Sequence, residues 1–348
     1  MPFSNTLIHW YLQNKRELPW RKTKNIYQIW LSEIILQQTK VNQGLKYYED
    51  FITTFPTIFD LAEADEERVL KLWQGLGYYS RARNLHFSAK YIVKELNGEF
   101  PENYEGLIKL KGVGDYTASA IASICFDEPT AVVDGNVYRL LSRYFGLKSP
   151  INSSRGIKEF KELAQQLIDK KQPGLFNQAI MEFGAIQCKP QNPDCKICPL
   201  NISCVALQKQ IVSSLPVKNN KIILKKRFLN YLVITGHNNN TLITQRKGKG
   251  IWQGLYEFPL VESQQEIHIK ELLCTKNFKE INVHDNFTIS LFNKAPIIHK
   301  LTHQHLYVKF WIIKTKHKIE HGINWNDFEK YPVPILIHNF VDNFKSKA

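Results

Sequence analysis

Methionine is scarce, with two residues in 348, and long apolar runs are missing. No stretch approaches the ~18 consecutive apolar residues of a membrane-spanning helix. The first twenty residues, MPFSNTLIHWYLQNKRELPW, lack a basic segment leading into an apolar core and a small-residue cleavage site, so no secretory leader is expected. Internal repeats and low-complexity tracts are absent. Cysteines are few and clustered: four of the six fall between Cys188 and Cys204, with Cys125 and Cys274 isolated. That pattern excludes the dispersed framework of a disulfide-stapled secreted domain and reads as a metal or cluster site. The expectation is a soluble, cytoplasmic chain. Its 43% hydrophobic and 22% charged residues are globular values, and its length suits about two domains.

Acidic residues are also in short supply, 32 against 46 Lys and Arg, for a net charge of +14. The excess is uneven. Residues 1–206 carry 25 basic against 22 acidic side chains, and residues 207–348 carry 21 against 10. A basic chain usually meets a polyanion, nucleic acid first, although a solubilising surface would look the same by charge alone.

Residues 1–205 read as almost entirely helical. The segment Tyr27–Lys40 has apolar residues at 29, 30, 31, 34, 35 and 36, a wide apolar stripe on a buried helix. Helical periodicity continues in 65–75, 81–96, 119–126, 136–144 and 157–170. Composition changes near residue 206, and 206–227 reads as a basic linker. Strand patterns follow at 228–235, 241–246 and 305–314, with GHNNN (236–240) as a turn and a closing helix at 335–344. The second domain, 228–348, is therefore mixed α and β.

Three motifs carry chemistry. In Leu110-Lys111-Gly112-Val113-Gly114-Asp115, two glycines one residue apart permit a tight turn between helices. They also allow backbone N–H groups to approach a phosphate closely. This resembles a helix-hairpin-helix, spanning about 106–124, in which Pro is more usual than Lys111. As an ordinary helix turn the same residues would carry no function. The second motif is Cys188-x6-Cys195-x2-Cys198-x5-Cys204. Zinc sites usually pair two C-x2-4-C knuckles, whereas four thiolates around one C-x2-C suit a [4Fe–4S] cluster. The third is Asp134, in Val133-Asp134-Gly135-Asn136, which is placed to cap a helix. It could also stabilise a cationic transition state. Separately, Glu33 sits in the apolar helix, where desolvation should raise its pKa towards an acid's working range; its plain alternative is a buried pair with an arginine such as Arg21.

Hairpin, Asp134 and cysteine loop follow the order and spacing of the endonuclease III-like DNA glycosylases. Within that superfamily the chain resembles the MutY family of adenine DNA glycosylases. The matching runs are Leu18-Pro19-Trp20-Arg21, Trp30 to Thr39, Gly75 to Leu85 and, more loosely, Ile251 to Pro259 in a Nudix-like second domain. The resemblance implies a multidomain protein: an all-α helix-hairpin-helix glycosylase domain with an iron–sulfur loop at 188–204, then an α+β Nudix-like recognition domain. It implies removal of adenine opposite 8-oxoguanine or guanine after base flipping. Glu33 would be the general acid at adenine N7 and Asp134 the stabiliser, assisted by Tyr116 and Asn136, with Glu182 contacting the base. Trp20, Arg21, Gly112 and Gly114 would meet substrate or DNA. Gln38, Thr39, Leu76 and Tyr78 would wedge beside the opposite base, and Thr302 and His303 would recognise 8-oxoguanine. Leu301 replaces the usual Phe of that loop. Cys188, Cys195, Cys198 and Cys204 would hold the [4Fe–4S] cluster.

Where bifunctional relatives carry a Schiff-base lysine, this chain has Tyr116, so it should hydrolyse without cleaving the strand. The expected partner is double-stranded DNA holding the mispair, bound by a monomer, in the cytoplasm. The alternatives are a thymine glycosylase for T:G mispairs, a bifunctional glycosylase/lyase and an inert damage-binding scanner. Residues after Gly254 lack the acidic cluster of a working Nudix hydrolase, which points the second domain to recognition.

Overall fold

The computed structural model describes residues 3–219, 224–281 and 286–346. They pack into two units: 3–63 with 84–219, and 64–83 with 224–281 and 286–346. A boundary placed at 205 anticipates neither the grouping of 64–83 with the later residues nor that of 206–219 with the earlier ones. Ile151 N–H donates to the Val217 carbonyl at 3.0 Å, tying that stretch to the first unit. Residues 220–223 of the expected linker lie outside the described residues.

The first unit is helical. Its centre is Ile26–Leu36, begun by Asn25, whose side chain accepts the Gln28 N–H, and buried at eight positions from Tyr27 to Ile35. The helix stops at Leu36, short of the expected Lys40. Gln37 leaves helical geometry and its amide donates to the Gly112 carbonyl and Thr117 Oγ1, both at 3.2 Å. Gln38 then adopts φ 55. Tertiary hydrogen bonds outweigh the propensity of the polar tail. The helix Asp115–Phe126 lies against it, as does Val41–Thr54. A second apolar cluster joins Phe3–Asn14, Gly135–Phe145 and Pro173–Glu182 around Tyr11, Leu141, Phe160, Phe176 and Phe183.

The second unit is built on a mixed sheet. Lys225–Thr235 runs parallel to Gln304–Thr315 in unbroken register from Lys225↔Gln304 to Thr235↔Lys314. Phe287–Leu291 and Ile297–Leu301 pair antiparallel with opposite halves of the Gln304–Thr315 strand, and Leu260–Ser263 pairs with Phe228–Tyr231. The expected strand at 241–246 is divided. Thr241 pairs with Thr235 in the main sheet, while Thr244–Gln245 pairs with Tyr256–Glu257. The helix Ile335–Lys345 covers one face. Phe310 stacks on Phe340 with centroids 3.9 Å apart and planes at 8°, next to Phe292 and Phe344. Such a ring, fully buried, carries both transfer energy and stacking. Phe310→Ala should cost about 3–5 kcal/mol in this unit, read by urea unfolding of the neighbouring tryptophans; a loss below about 1 kcal/mol would contradict this packing.

Candidate active site

Glu33 projects from the middle of its helix into a cavity of about 170 Å³. Its walls include Trp20, Arg21, Ser32, Thr39, Tyr116, Asp134, Asn136, Gln178, Met181 and Glu182. The four residues expected to act with Glu33, namely Asp134, Tyr116, Asn136 and Glu182, all meet it there. Burial pushes its carboxyl up to about 7, and the nearby Asp134 adds to the rise; a hydrogen bond from Tyr116 and the Arg21 charge oppose it without prevailing. Tyr116 is also within 3.1 Å of Met181 Sδ. Its phenol is driven well above its ordinary value by burial and by the two carboxylates, so it is a neutral donor.

Asp134 lives in a different environment. As N-cap of Gly135–Phe145 it accepts the backbone N–H of Asn136 at 2.9 Å and of Val137 at 2.8 Å, and the Asn136 side-chain amide at 2.7 Å. Burial raises its pKa, but those three donors pull against it. The helix N-terminus also favours the anion. Two carboxyl groups share one cavity in different surroundings: burial raises both, but only Asp134 has three N–H donors opposing the rise.

The third carboxylate, Glu182, is only 1% exposed. Arg16 grips it with Nε and Nη2 at 2.8 and 2.6 Å, and Arg21 with Nη1 and Nη2 at 3.0 and 2.8 Å. Burial opposes ionisation, yet the two guanidinium groups hold the carboxyl down at about 2. Arg21 is thus bonded to Glu182, not to Glu33, and Trp20 packs edge-on against Tyr48 at 5.0 Å; both line the cavity. Arg16 and Gln178 escape a reading of the sequence. Gln178 Oε1 accepts from the Tyr11 hydroxyl at 2.7 Å, which leaves its amide for the cavity it lines.

Arg139, one turn along the Asp134-capped helix, donates to Asn136 Oδ1 at 2.9 Å, to the Gly184 carbonyl at 2.6 Å and to the Cys188 carbonyl at 2.7 Å. Gly184 has no room for a side chain: a Cβ would sit 2.7 Å from the Asn136 carbonyl oxygen. Arg143, the next turn on, reaches Cys188 Sγ at 3.5 Å and the carbonyls of Lys189, Pro190, Val212 and Leu215. Cys188, Cys195, Cys198 and Cys204 line one pocket with Arg143, Leu140 and Phe183. Among the described residues no three of these sulfurs come within 4.8 Å of one another, wider than the ~3.8 Å edge of a tetrahedral site with 2.3 Å zinc–sulfur bonds. Burial pushes the Cys198 thiol up to about 11.

At the hairpin, Gly112 holds φ 86 with Asn84 packed where its side chain would be, and Gly114 faces open space. The helix Asp115–Phe126 begins immediately after, earlier than the expected residue 119. In the second unit, Leu76 is buried and Tyr78 exposed at φ 50. Thr302 and His303 form the exposed two-residue turn between Ile297–Leu301 and Gln304–Thr315. The Tyr78 hydroxyl lies 2.7 Å from Thr302 Oγ1, and both line a cavity of about 730 Å³ with Trp252 and His299. Of the expected contact residues, Tyr78, Leu76, Thr302 and His303 belong to this unit, and Gln38 and Thr39 to the first.

The elevated pKa of Glu33 has a measurable cost. Its folded-state value lies above the ordinary 4.5, so its contribution to stability is complete below pH ~4.5 and lost as pH rises through ~7. Glu33→Gln removes that titration. The variant should gain about 3 kcal/mol over the parent at pH 8 and nothing at pH 4, by the 1.4 kcal/mol equivalent of each pKa unit. Denaturant melts across that range check it; a constant difference would refute the burial argument.

Comparison with known proteins converges on one family. Residues 31–175 match the model described as "HhH-GPD superfamily base excision DNA repair protein", and residues 230–343 match the NUDIX domain. An adenine DNA glycosylase of Buchnera aphidicola is 32% identical over 99% of this chain and 97% of its own. That of Rattus norvegicus is 47% identical over 60% of this chain and 42% of its own. Among solved structures, a thermostable thymine-DNA glycosylase aligns with TM-score 0.55 at 30% identity, over 60% of this chain and 95% of that one. An endonuclease III–DNA complex, at 23% identity and TM-score 0.52 over 60% of this chain and 94% of that one, shares the fold. The helical unit with its three-carboxylate cavity and the Nudix-like unit thus make up a DNA glycosylase, and the chain belongs to the adenine DNA glycosylase family.

Proposed function

We propose that the protein removes adenine from A:8-oxoguanine and A:G mispairs in double-stranded DNA by hydrolysing the N-glycosidic bond of the flipped nucleotide. The observation that carries this reading is the division of labour in the cavity: a carboxyl with pKa about 7, a carboxylate under three N–H donors and a third locked as an anion. Adenine is a poor leaving group as an anion. Neutral Glu33 gives its proton to N7, the C1′–N9 electron pair passes to the base, and positive charge develops on the sugar. Asp134 stabilises that oxocarbenium-like centre, as one carboxylate does in glycoside hydrolysis. Water then adds to C1′ and loses a proton, leaving an abasic site. Ionised Glu182 supports this role by anchoring Arg16 and Arg21, which fill its acceptor sites, at the wall where the base would enter, with Gln178 beside it.

Tyr116 offers no amine, which favours hydrolysis without strand cleavage. Extrusion of the base costs a few kcal/mol, least at a mispair, and Gln38, held in left-handed geometry at the end of the Glu33 helix, is suited to enter the gap with Thr39. Gly112 and Gly114 would grip the backbone. The four cysteines line one pocket, and their spacing around a single C-x2-C suits a [4Fe–4S] cluster, in which Arg143 would hydrogen-bond the Cys188 ligand. When bound, the cluster would fix the loop that Arg139 and Arg143 connect to Asp134. In the second unit the Tyr78–Thr302 hydroxyl pair and His303 would read the opposite base. Relatives matching almost the whole chain are adenine DNA glycosylases, which favours adenine over the thymine of the structural neighbour.

The parent should release adenine from A:8-oxoguanine and A:G duplexes, not thymine from T:G, with strand breaks only after alkali. Glu33→Gln should abolish release while still binding the duplex, because the amide keeps the shape and lacks the proton. Near-parental turnover by the variant, or breaks without alkali, would overturn the mechanism.

Thr302→Ala with His303→Ala should weaken preference for A:8-oxoguanine over A:G by about 1–3 kcal/mol, the scale of lost base-edge readout. Single-turnover release from both duplexes measures it; equal losses on both would assign the second unit to general DNA affinity.

A further inference from the structure

We infer that Phe87 and Lys111 form an auxiliary phosphodiester-binding element beside the hairpin, with the Phe87 ring holding the Lys111 ammonium ready for a backbone phosphate. This rests on reading the chain as a DNA-binding glycosylase and adds residues to that surface. Lys111 Nζ stands 4.2 Å from the centroid of the Phe87 ring. Phe87 is 53% exposed, so the ring meets the cation in water, where such a contact is worth about 0.5–1 kcal/mol. The same helix, Ser80–Glu95, supports the turn twice more: Ser88 Oγ donates to the Lys111 carbonyl at 2.9 Å, and Asn84 packs beneath Gly112. Positions 84, 87 and 88 share one helix face, and that face sets both the backbone and the side chain of Lys111.

Among the described residues no carboxylate forms an ion pair with Lys111, which leaves its charge for an outside anion. The nearest carboxylate along the chain, Asp115, is held by Lys161 Nζ at 2.9 Å and by the Tyr104 hydroxyl at 2.8 Å. Proline, more usual at position 111 of such hairpins, would bring no charge. Lysine here therefore adds one ionic contact to a turn that otherwise uses backbone groups, and the aromatic face limits the rotamers the lysine must give up on binding.

Binding to a short undamaged duplex across a salt series, read by fluorescence anisotropy, tests this without reference to the base removed. Lys111→Ala should lower the slope of log affinity against log salt by about 0.9, one phosphate's share. Phe87→Leu, which keeps an apolar side chain and removes the ring, should weaken binding about two- to five-fold when Lys111 is present. Added to the Lys111→Ala variant, the same change should have no effect. An unchanged slope for Lys111→Ala, or an equal effect of Phe87→Leu in both backgrounds, would overturn the inference. Adenine release by the parent is scored separately: its absence, with the slopes as expected, would count against the glycosylase reading alone.

Discussion

A carboxylic acid buried on the apolar helix Ile26–Leu36 cannot ionise cheaply, and much of the site follows from that constraint. Desolvation holds Glu33 near neutrality only while the helix Ile26–Leu36 stays covered on both sides. The helices Val41–Thr54 and Asp115–Phe126 provide that cover. A second carboxylate in the same cavity would raise Glu33 further and itself resist ionisation, unless it were supplied with donors. Asp134 has them, because it caps a helix whose first N–H groups need an acceptor. The capping bond and the electrostatic role are one arrangement, so the structural and chemical readings of Asp134 do not compete. Glu182 completes the set by the opposite means, burial overcome by two guanidinium groups.

The helix capped by Asp134 extends this constraint beyond the cavity. Arg139 and Arg143 stand one turn apart on it, buried and engaged with carbonyls. A buried guanidinium needs acceptors for five N–H groups, and the cysteine loop supplies several of them. The loop is thereby fixed to the element that orients Asp134 through Asn136. Disturbing the cysteine loop should be felt as a change in Asn136 orientation, although none of the four loop cysteines lines the Glu33 cavity.

Much of this is legible in the sequence. Glu33 in an apolar run, Asp134 before a helix, the paired glycines and the four cysteines each carry local signals that survive without coordinates. The rest depends on long-range contacts. Glu182 pairs with Arg16 and Arg21 across more than 160 residues, and nothing local marks Arg16 in Lys15-Arg16-Glu17. The grouping of 64–83 with the sheet unit is likewise nonlocal. Periodicity misplaces a helix end where a tertiary bond intervenes, as at Gln37, whose amide contacts to Gly112 and Thr117 end the helix early. It also joins 241–246 into one strand, although the two halves pair with different strands, a choice that side-chain pattern does not encode.

The central claim is that Glu33 rests protonated near neutral pH because its helix denies it water. The direct measurement is its carboxyl titration in the folded protein, by carbon NMR of protein labelled at glutamate, with Glu33→Gln identifying the resonance. The account predicts a midpoint near 7, falling when polar groups are introduced around it. A midpoint in the ordinary glutamate range near ~4.3 would contradict it.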